Sequence, residues 1–359
     1  MRTSRRRDCA ARGGASEVLG SDRARRAATA LLIILLAGAS PAQDGEEATG
    51  VAAADPATQP SRIAPLAEYS LLLDAARAGT RMVAVGEHGH VLLSDDRGES
   101  WRQVVVPTRS TLTAVSFPTP SEGFAVGHDA VILRTRDSGE TWRLQHSDPS
   151  LESPLLDVWF ADADHGLAVG AYGLVLETRD GGESWTSRML SDLDMHHNAI
   201  AANGSGQLFV AGEAGSLLRS DDAGATWQEL EIPQPASLFG AIGVGEHGVL
   251  VFGLRGRVLY SQDAGESWQA VQTGTEASIM GGAITERGDV VLGGVTGVVL
   301  SGDIGDPRLA LSERPDRKAV STAAALPGEG ALLLGAFGVE APTEWLSGSA
   351  RVPGESGAQ

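Results

Sequence analysis

Residues 94–101 read Ser-Asp-Asp-Arg-Gly-Glu-Ser-Trp, and close copies of this stretch return along the chain. The copies span residues 135–142, 178–185, 220–227 and 261–268, and residues 301–305 form a worn sixth copy. Their common pattern is [Ser/Thr]-x-Asp-x-Gly-x-[Ser/Thr]-Trp, and the steps between its aspartates are 41, 43, 42, 41 and 40 residues. A period near 40 residues with strand-like flanks is typical of a β-propeller.

A second repeated turn predicts the number of blades. Each copy of the first pattern, which we call the Asp-box, follows a strand, a Gly-x-x-Gly turn and another strand, with Ala130 in place of the closing glycine in the second copy. The leading glycines of these turns recur every 41 to 43 residues, at Gly86, Gly127, Gly170, Gly212, Gly253, Gly294 and Gly335. Seven markers predict an all-β, seven-bladed β-propeller with Asp-box repeats over residues 61–353.

Each repeat can be divided into four strands. In the second repeat we expect them at residues 112–117, 123–127, 131–135 and 142–145, with the Asp-box between the third and fourth strands. The seventh repeat has no clear outer strand after Trp345. Because an unpaired strand edge is a liability, we expect residues 62–67 to pair into the last blade and close the ring.

The Asp-box residues are predicted to be structural. The aspartate can accept backbone N–H bonds across the turn, the glycine allows a positive φ, and the tryptophan fills space between blades. The residues concerned are Asp96, Trp101, Asp137, Trp142, Asp180, Trp185, Asp222, Trp227, Asp263 and Trp268. We therefore predict no catalytic role for these aspartates.

Residues 1–42 are interpreted as a secretory signal peptide. Three arginines at 23, 25 and 26 precede an apolar run over residues 27–39, and Ser40-Pro41-Ala42 supplies the small residues of a cleavage site. The run is short for a membrane span, which needs about 20 residues, and a retained anchor is the alternative. We expect residues 43–60, rich in Ala, Glu, Gly and Pro, to form a disordered leader.

Charge and cysteine content exclude several classes of function. The formal charge is −18, and Lys318 is the only lysine. An acidic surface repels phosphate backbones, so nucleic acid is excluded as a partner. Signal cleavage would remove Cys9, the only cysteine, which leaves no disulfide and no thiolate ligand. The expected product is a soluble, exported, periplasmic protein.

The repeat unit also resembles a known family. The pattern Gly-x-x-Gly-x-[Val/Ile]-Leu-x-[Ser/Thr]-x-Asp-x-Gly-x-[Ser/Thr]-Trp is similar to that of the photosystem II assembly and stability factor propellers, and so is the sequence of residues 155–170. The likeness covers residues 70–345. It implies a non-enzymatic, lumenal-side propeller that helps an integral membrane complex to assemble. For non-photosynthetic bacteria it implies exported accessory proteins, some of them beside resistance-nodulation-division exporters. We expect a monomeric protein-binding factor with no cofactor.

An enzyme is the alternative, because the Asp-box also resembles that of sialidases and other glycosidases. Sialidase chemistry needs an arginine cluster, a tyrosine nucleophile and an acid, yet the chain has three tyrosines and no Phe/Tyr-Arg-Ile-Pro signature. Other glycosidases need two carboxylates, one of them with a raised pKa. A deep central pocket with paired acids would favour a glycan-binding or glycan-hydrolysing propeller.

The partner-binding residues are predicted on one face of the disc. If the Asp-boxes lie on one face, the Gly-x-x-Gly turns and the links between blades lie on the other. Arginine forks bind carboxylates and aromatic side chains anchor protein interfaces. The candidates are Arg255, Arg257, Arg219, Tyr172, His128, His196 and Phe337. The alternative is that these are ordinary surface residues of loops with no partner, and that the arginines form ion pairs with nearby acidic residues.

Residues 192–197 read Asp-Leu-Asp-Met-His-His, and their carboxylates and imidazoles make them a candidate metal site. Adjacent histidines lack the i, i+2 spacing of a strand or the i, i+4 spacing of a helix that aims two ligands at one ion. We therefore predict no metal.

Overall fold

The computed structural model describes residues 55–191, 194–328 and 330–340. They form seven antiparallel sheets, the seven blades of a β-propeller, so the predicted fold is confirmed. The helices in this part of the chain are single 3-10 turns: Pro56–Thr58, Ala67–Tyr69, Glu87–Gly89, His128–Ala130, Pro149–Leu151, Ala171–Gly173, Glu213–Gly215, Leu254–Gly256 and Val295–Gly297. The predicted signal peptide lies outside the described residues.

The blades follow one another along the chain. Blade 1 contains β1 (Leu72–Ala78), β2 (Arg81–Gly86), β3 (Val91–Ser94) and β4 (Arg102–Val104). Blade 2 contains β5 (Leu112–Ser116), β6 (Gly123–Gly127), β7 (Ile132–Thr135) and β8 (Arg143–His146). Blade 3 contains β9 (Leu155–Phe160), β10 (Gly166–Gly170), β11 (Val175–Thr178) and β12 (Thr186–Ser187). Blade 4 contains β13 (His197–Ala202), β14 (Leu208–Gly212), β15 (Leu217–Ser220) and β16 (Gln228–Glu229).

The remaining three blades keep the same order. Blade 5 contains β17 (Leu238–Val244), β18 (Gly248–Gly253), β19 (Val258–Ser261) and β20 (Gln269–Ala270). Blade 6 contains β21 (Ile279–Ile284), β22 (Asp289–Gly294), β23 (Val298–Asp303) and β24 (Ala310–Glu313). Blade 7 contains β25 (Val320–Ala325), β26 (Ala331–Gly335) and β27 (Gly338–Glu340). The four strands expected in the second repeat are confirmed as β5 to β8.

The core lies between blades rather than inside one layer. The second strands are buried at every position, as β6 is, or at every position but the first, as in β2 and β22, because both faces of each sheet pack on a neighbouring blade. One apolar cluster joins Leu93 of blade 1 to Leu133 and Trp142 of blade 2. Another joins Leu92 of blade 1 to Leu332 of blade 7, so the ring is closed by the same kind of packing.

Every blade carries a register shift near the start of its inner strand. The extra residue in each is Leu73, Thr113, Leu156, Asn198, Phe239, Met280 or Ser321. Two of these side chains reach the next blade: Thr113 Oγ1 donates to Leu155 O at 2.7 Å and Asn198 Nδ2 to Leu238 O at 2.7 Å. The inner strands of blades 2 and 3, and those of blades 4 and 5, are thus joined by hydrogen bonds.

Ring closure differs from the prediction. Residues 62–67 were expected to add a strand to blade 7, but that sheet has three strands among the described residues, and 62–67 form none of them. Ser61 N instead donates to Val106 O at 2.8 Å, and Ala64 N to the Gln103 side chain at 2.7 Å. The prediction is wrong because this segment lies along the outer strand of blade 1.

The segment takes the place of a link between blades. In blade 1 a Cβ on Gly89 would lie 2.2 Å from Thr108 O, an atom of the link to blade 2. In blade 7 a Cβ on Gly338 would lie 1.9 Å from Glu68 O. Glu68 therefore occupies at the junction of blades 7 and 1 the position that Thr108 occupies at the next one. We call residues 61–71 the closing strap.

The predicted leader, residues 43–60, is wrong for its last six residues. Ala57 is fully buried in the cluster between blades 1 and 2, and Arg109 N donates to Pro56 O at 2.8 Å. Asp55 caps the 3-10 helix by accepting from Ala57 N at 2.9 Å. The composition of this stretch suggested disorder, but its small residues fit a gap between two blades.

Candidate functional site

The Gly-x-x-Gly turns present a ring of side chains. In blades 1 to 6 the central residue of each turn is a non-glycine residue with φ between 55° and 59°. These tip residues are His88, Asp129, Tyr172, Ala214, Arg255 and Thr296, and all but Asp129 are exposed. A left-handed backbone costs an L-residue roughly 1–2 kcal/mol, so this turn conformation reduces the stability of the fold at each of these positions. This set is the tip ring.

Two predicted partner-binding residues belong to the tip ring. Tyr172 is 55% exposed, and its ring centroid lies 4.6 Å from that of His196. Arg255 is exposed at the tip of blade 5. His128 lies beside the tip residue Asp129 and is half-buried, and burial lowers its pKa. Tyr172 and Arg255 are the two that a partner could reach most easily.

Three other predicted residues contribute little surface. His196 is 5% exposed and Phe337 is 8% exposed, with the guanidinium of Arg314 stacked 3.6 Å from the Phe337 ring centroid. Arg257 donates to Pro233 O at 2.9 Å and also to Gln234 O. These side chains contact other parts of the protein and leave little surface for a partner, because the link between two blades packs over each turn.

Arg219 lies away from Arg255. It belongs to β15, and its guanidinium contacts the Asp-box of blade 5, with 2.8 Å to Glu266 and 2.9 Å to Ala264 O. Its other terminal nitrogen lies 3.1 Å from Asp221. Arg219 therefore does not share a face with the other two predicted arginines, Arg255 and Arg257. It lies at the Asp-box end of β15, whereas Arg255 lies at the tip of a Gly-x-x-Gly turn, at the opposite end of the strands.

The Asp-boxes are closed hydrogen-bonded turns. Asp137 Oδ1 accepts from Thr141 N at 2.8 Å and from Thr135 Oγ1 at 2.8 Å, and Oδ2 accepts from Thr141 Oγ1 at 2.6 Å. The other four complete boxes repeat this scheme. Hydrogen bonds, first from the hydroxyls of Ser100, Ser184 and Thr226, lower the pKa of Asp96, Asp180 and Asp222 to about 2. The carboxylates are thus fully ionised and bonded within their own turns.

Each Asp-box also rests on the blade before it. Trp142 is 6% exposed, packs in the cluster between blades 1 and 2, and donates from Nε1 to Gly139 O at 2.9 Å. Gly139 faces Leu93 of blade 1, where an added Cβ would lie 3.0 Å from a methyl group. The box therefore joins consecutive blades.

An arginine cluster that sequence reasoning missed lies on the Asp-box side, between blades 2 and 3. A cavity of about 270 Å³ is lined by three arginines, two acids and two neutral polar residues: Arg134, Arg136, Arg143, Asp137, Glu183, Thr141 and Gln145. Arg134 is buried against Glu122 and lies 2.8 Å from Glu183, which also binds Arg136 at 2.8 Å. We call this the arginine pocket. Its signal in the sequence is three arginines around one Asp-box, Arg-Thr-Arg-Asp-Ser-Gly-Glu-Thr-Trp-Arg over residues 134–143.

The arginine pocket keeps positive charge available on an acidic protein. Arg136 is 64% exposed, and Arg143 is exposed and forms no ion pair with any residue the structure describes. A carboxylate entering the cavity could take bidentate hydrogen bonds from either guanidinium. The pocket is suited to acidic groups of a peptide.

Two acids that the sequence analysis did not single out lie on the inner strands. Asp74 borders a second cavity, of about 250 Å³, on the axis beside blades 6 and 7, whose other lining residues include Gly282 and Ala323. Asp157 lies in blade 3. Burial raises the pKa of Asp74 to about 7 and of Asp157 to about 6.

The histidine cluster is only partly described, since residues 192 and 193 lie outside the described residues. His197 is 2% exposed, and burial lowers its pKa to about 4, with the neighbouring His196 adding to the effect. Between residues 55 and 340, where the structure describes the chain, no helix has the length and apolarity needed to cross a membrane.

Solved structures with the same fold include two from one family. The structure of YCF48 bound to D1 peptide matches with a TM-score of 0.61 and 17% identity, covering 76% of this chain and 90% of that chain. YCF48 from Cyanidioschyzon merolae matches with a TM-score of 0.61 and 16% identity, covering 77% and 96%. The WD40 propeller domain of Doa1 reaches the same TM-score at 11% identity. At these identities the likeness concerns the fold alone.

Sequence relatives carry the assignment further. The photosystem II assembly protein Ycf48 of Synechococcus sp. (strain JA-2-3B'a(2-13)) is 32% identical over 194 residues, 53% of each chain. The same protein from strain JA-3-3Ab is 36% identical over 192 residues, 52% of each. The chain thus spans about half the length of the curated relatives it matches. The model of the family described as photosynthesis system II assembly factor YCF48 matches residues 93–151 and 145–298, more than half of this sequence. The chain therefore belongs to the YCF48 assembly factor family.

Proposed function

We propose that this protein is a non-enzymatic assembly or accessory factor that binds an extracytoplasmic segment of an integral membrane complex. Membership of the YCF48 family supports the assembly role, and a related structure was solved with a D1 peptide. The N-terminal pattern of arginines, apolar run and small residues supports export to the periplasm or an equivalent compartment. In a non-photosynthetic host the complex would be a different one, such as an exporter.

The arginine pocket carries this proposal. On a chain of formal charge −18, Arg136 and Arg143 flank a cavity large enough for one or two side chains. Arg143 has no carboxylate partner of its own among the described residues, so a partner's acidic group would not have to displace one. The acidic remainder of the surface would disfavour nucleic acid, and we expect a monomer.

The test is affinity capture of the tagged protein from solubilised host membranes, with Arg136→Glu/Arg143→Glu as the variant. We expect one membrane complex to be captured by the wild type and lost, by about tenfold or more, in the double variant, because two attractive charges become repulsive. Arg255→Glu is the matched control, since it makes one such charge reversal on the tip ring.

The outcomes separate the two surfaces. Loss with Arg255→Glu or Tyr172→Ala, and not with the double variant, would move the docking site to the tip ring. Capture that survives in all three variants would contradict the arginine-based proposal. An empty capture by the wild type would contradict the membrane-complex proposal as a whole.

A glycan-binding or glycan-hydrolysing propeller is the second candidate, and one observation favours it. Asp74 and Asp157 are acids on the inner strands of two blades, and both have raised pKa values, as one carboxyl group of a glycosidase needs. Both carboxyl groups, however, already accept backbone hydrogen bonds from the next blade. Turnover of a polysaccharide panel that is abolished by Asp157→Asn would establish this candidate.

A further inference from the structure

Asp74 and Asp157 occupy the same position in two blades. Each is the residue that follows the extra residue of the inner-strand register shift. The five other blades place small, uncharged residues there: Ala114, Ala199, Gly240, Gly281 and Thr322. Ala and Gly show that the propeller does not need a side-chain hydrogen bond at this position. The two aspartates are therefore an addition to the fold.

Each carboxyl group joins its blade to the next one. Asp74 Oδ2 accepts from Val115 N at 2.9 Å, which links β1 to β5. Asp157 Oδ2 accepts from Ile200 N at 2.8 Å, which links β9 to β13, and Oδ1 accepts from its neighbour Val158 N at 2.8 Å. The two contacts lie at the seams between blades 1 and 2 and between blades 3 and 4, on the innermost ring of strands.

No cation balances either carboxyl group within the described residues. Among the strands packed on β1, the charged side chains are Arg77 of β1 itself and Arg81 of β2. Arg77 is bound to Glu286 at 2.6 Å, and Arg81 is bound to Asp95 at 2.6 Å and Glu140 at 2.8 Å. The elements packed on β9 carry His197, His128 and Asp129.

The electrostatic surroundings favour the protonated forms. Burial is the main cause of the raised pKa at both sites, about 7 for Asp74 and about 6 for Asp157, and the charge of Asp157 adds to the rise at Asp74. An aspartate in an unfolded chain titrates near 3.9. Between those values the folded protein binds more protons than the unfolded chain, so the stability from these groups falls as pH rises.

We propose that Asp74 and Asp157 form a proton-dependent latch of the ring. In acid, two neutral carboxyl groups accept from Val115 N and Ile200 N without a desolvation cost. As pH rises, both groups ionise on the inner strands with no cation beside them among the described residues. The cost of desolvating these charges exceeds the gain in strength of their hydrogen bonds from the backbone, so the ring is destabilised. The latch does not depend on the proposed function or on the identity of the partner.

The test compares thermal unfolding of the full chain and of Asp74→Asn/Asp157→Asn from about pH 5 to about pH 8. Asparagine keeps an oxygen that can accept from Val115 or Ile200 but has no charge. His90, His128, His146 and His197 have lowered pKa values through burial, and they change stability in the opposite direction with pH. The readout is therefore the difference in Tm between variant and wild type at each pH.

We expect this difference to rise by several degrees in favour of the variant as pH increases. Asp306→Asn, which replaces an exposed aspartate outside the inner strands, should give a constant difference. In Asp157→Asn the transition of Asp74 should move to lower pH, because one source of repulsion is gone; a purely structural role would not move it. A difference that stays flat across the range overturns the proposal.

A second measurement does not need the variants to fold. Infrared absorption of protonated carboxylic acids in the wild type should persist near pH 6, above the range in which ordinary carboxyl groups titrate, and disappear by about pH 8. Absence of this band near pH 6 would equally overturn the latch.

Discussion

A Cβ atom on Gly127 would lie 2.1 Å from the carbonyl oxygen of Thr111, the same oxygen that accepts a 2.9 Å hydrogen bond from His128 N. The arrangement recurs in all seven blades, where the added Cβ would lie between 2.1 and 2.4 Å from the carbonyl that precedes the inner strand. Glycine therefore recurs at this position in the sequence because any larger residue would place its Cβ against a backbone carbonyl oxygen.

Gly127→Ala should destabilise the protein by about 1–3 kcal/mol, because the new methyl group must displace backbone that cannot rotate away. Equilibrium denaturation measures the change. Ala130→Gly, in the same turn, is the control: Ala130 has a φ of 50°, so relief of strain offsets the loss of one buried methyl group. Equal losses in both variants would contradict the carbonyl explanation.

Trp142→Phe should cost about 1 kcal/mol more than Trp268→Phe. Trp142 donates to Gly139 O, whereas the buried indole nitrogen of Trp268 has no hydrogen-bond partner among the described residues. Phenylalanine at position 142 removes an N–H group that donates a hydrogen bond, whereas phenylalanine at position 268 removes an N–H group that has no acceptor among the described residues. Urea denaturation of the two variants under one condition decides the point, and the reverse order would count against it.

The Asp-box aspartates should make the protein sensitive to acid. Their lowered pKa, about 2 at Asp96, Asp180 and Asp222, means that the stability they contribute is complete above about pH 4. It is lost as pH falls toward 2. Asp180→Asn should therefore lower Tm near neutral pH and have little effect near pH 2. A Tm difference independent of pH would show that ionisation of the box does not matter.

This acid response has the opposite sign to that of the latch. The boxes lose stability below about pH 4, while Asp74 and Asp157 lose it as pH rises from about 4 to about 7. The two groups together should place the maximum of their combined contribution near pH 4.

Ala67→Asp should destabilise the ring by at least about 2 kcal/mol, while Leu66→Asp should have little effect. Ala67 is 4% exposed in the cluster that joins blades 1 and 7, and Leu66 is 67% exposed on the same strap. Hydrogen exchange should show faster opening of β26 in the first variant only. Similar behaviour of both variants would mean that the closing strap does not hold blade 7.

Much of the fold could be read from local patterns. The strands of the second repeat were expected within one or two residues of β5 to β8, because turn chemistry marks both ends of each strand. The burial of Phe337 could not be read in this way. An aromatic residue at a turn tip looks like an exposed anchor, but this one packs in an apolar cluster with Val320 and Leu333, and the Arg314 side chain is stacked on its ring.

The candidate site was less predictable than the fold. Arg219, Arg255 and Arg257 fall in adjacent repeats, but Arg219 lies at the Asp-box end of β15 whereas Arg255 lies at the tip of a Gly-x-x-Gly turn, at the opposite ends of the strands, so the three side chains do not meet. Arg134, Arg136 and Arg143 meet because β7 and β8 flank one Asp-box and Glu183 of blade 3 holds two of them. The arginine pocket therefore depends on how blade 3 is placed against blade 2.

The blade number and the Asp-box followed from the amino-acid order alone, since each box bond joins residues at most four positions apart. The closing strap, the arginine pocket and the aspartate latch required the folded ring. Ser61 and Val106, Arg134 and Glu183, and Asp74 and Val115 are separated by 45, 49 and 41 residues. Contacts at about one repeat's distance form only when consecutive blades pack face to face, and a local pattern of residues carries no information about that packing.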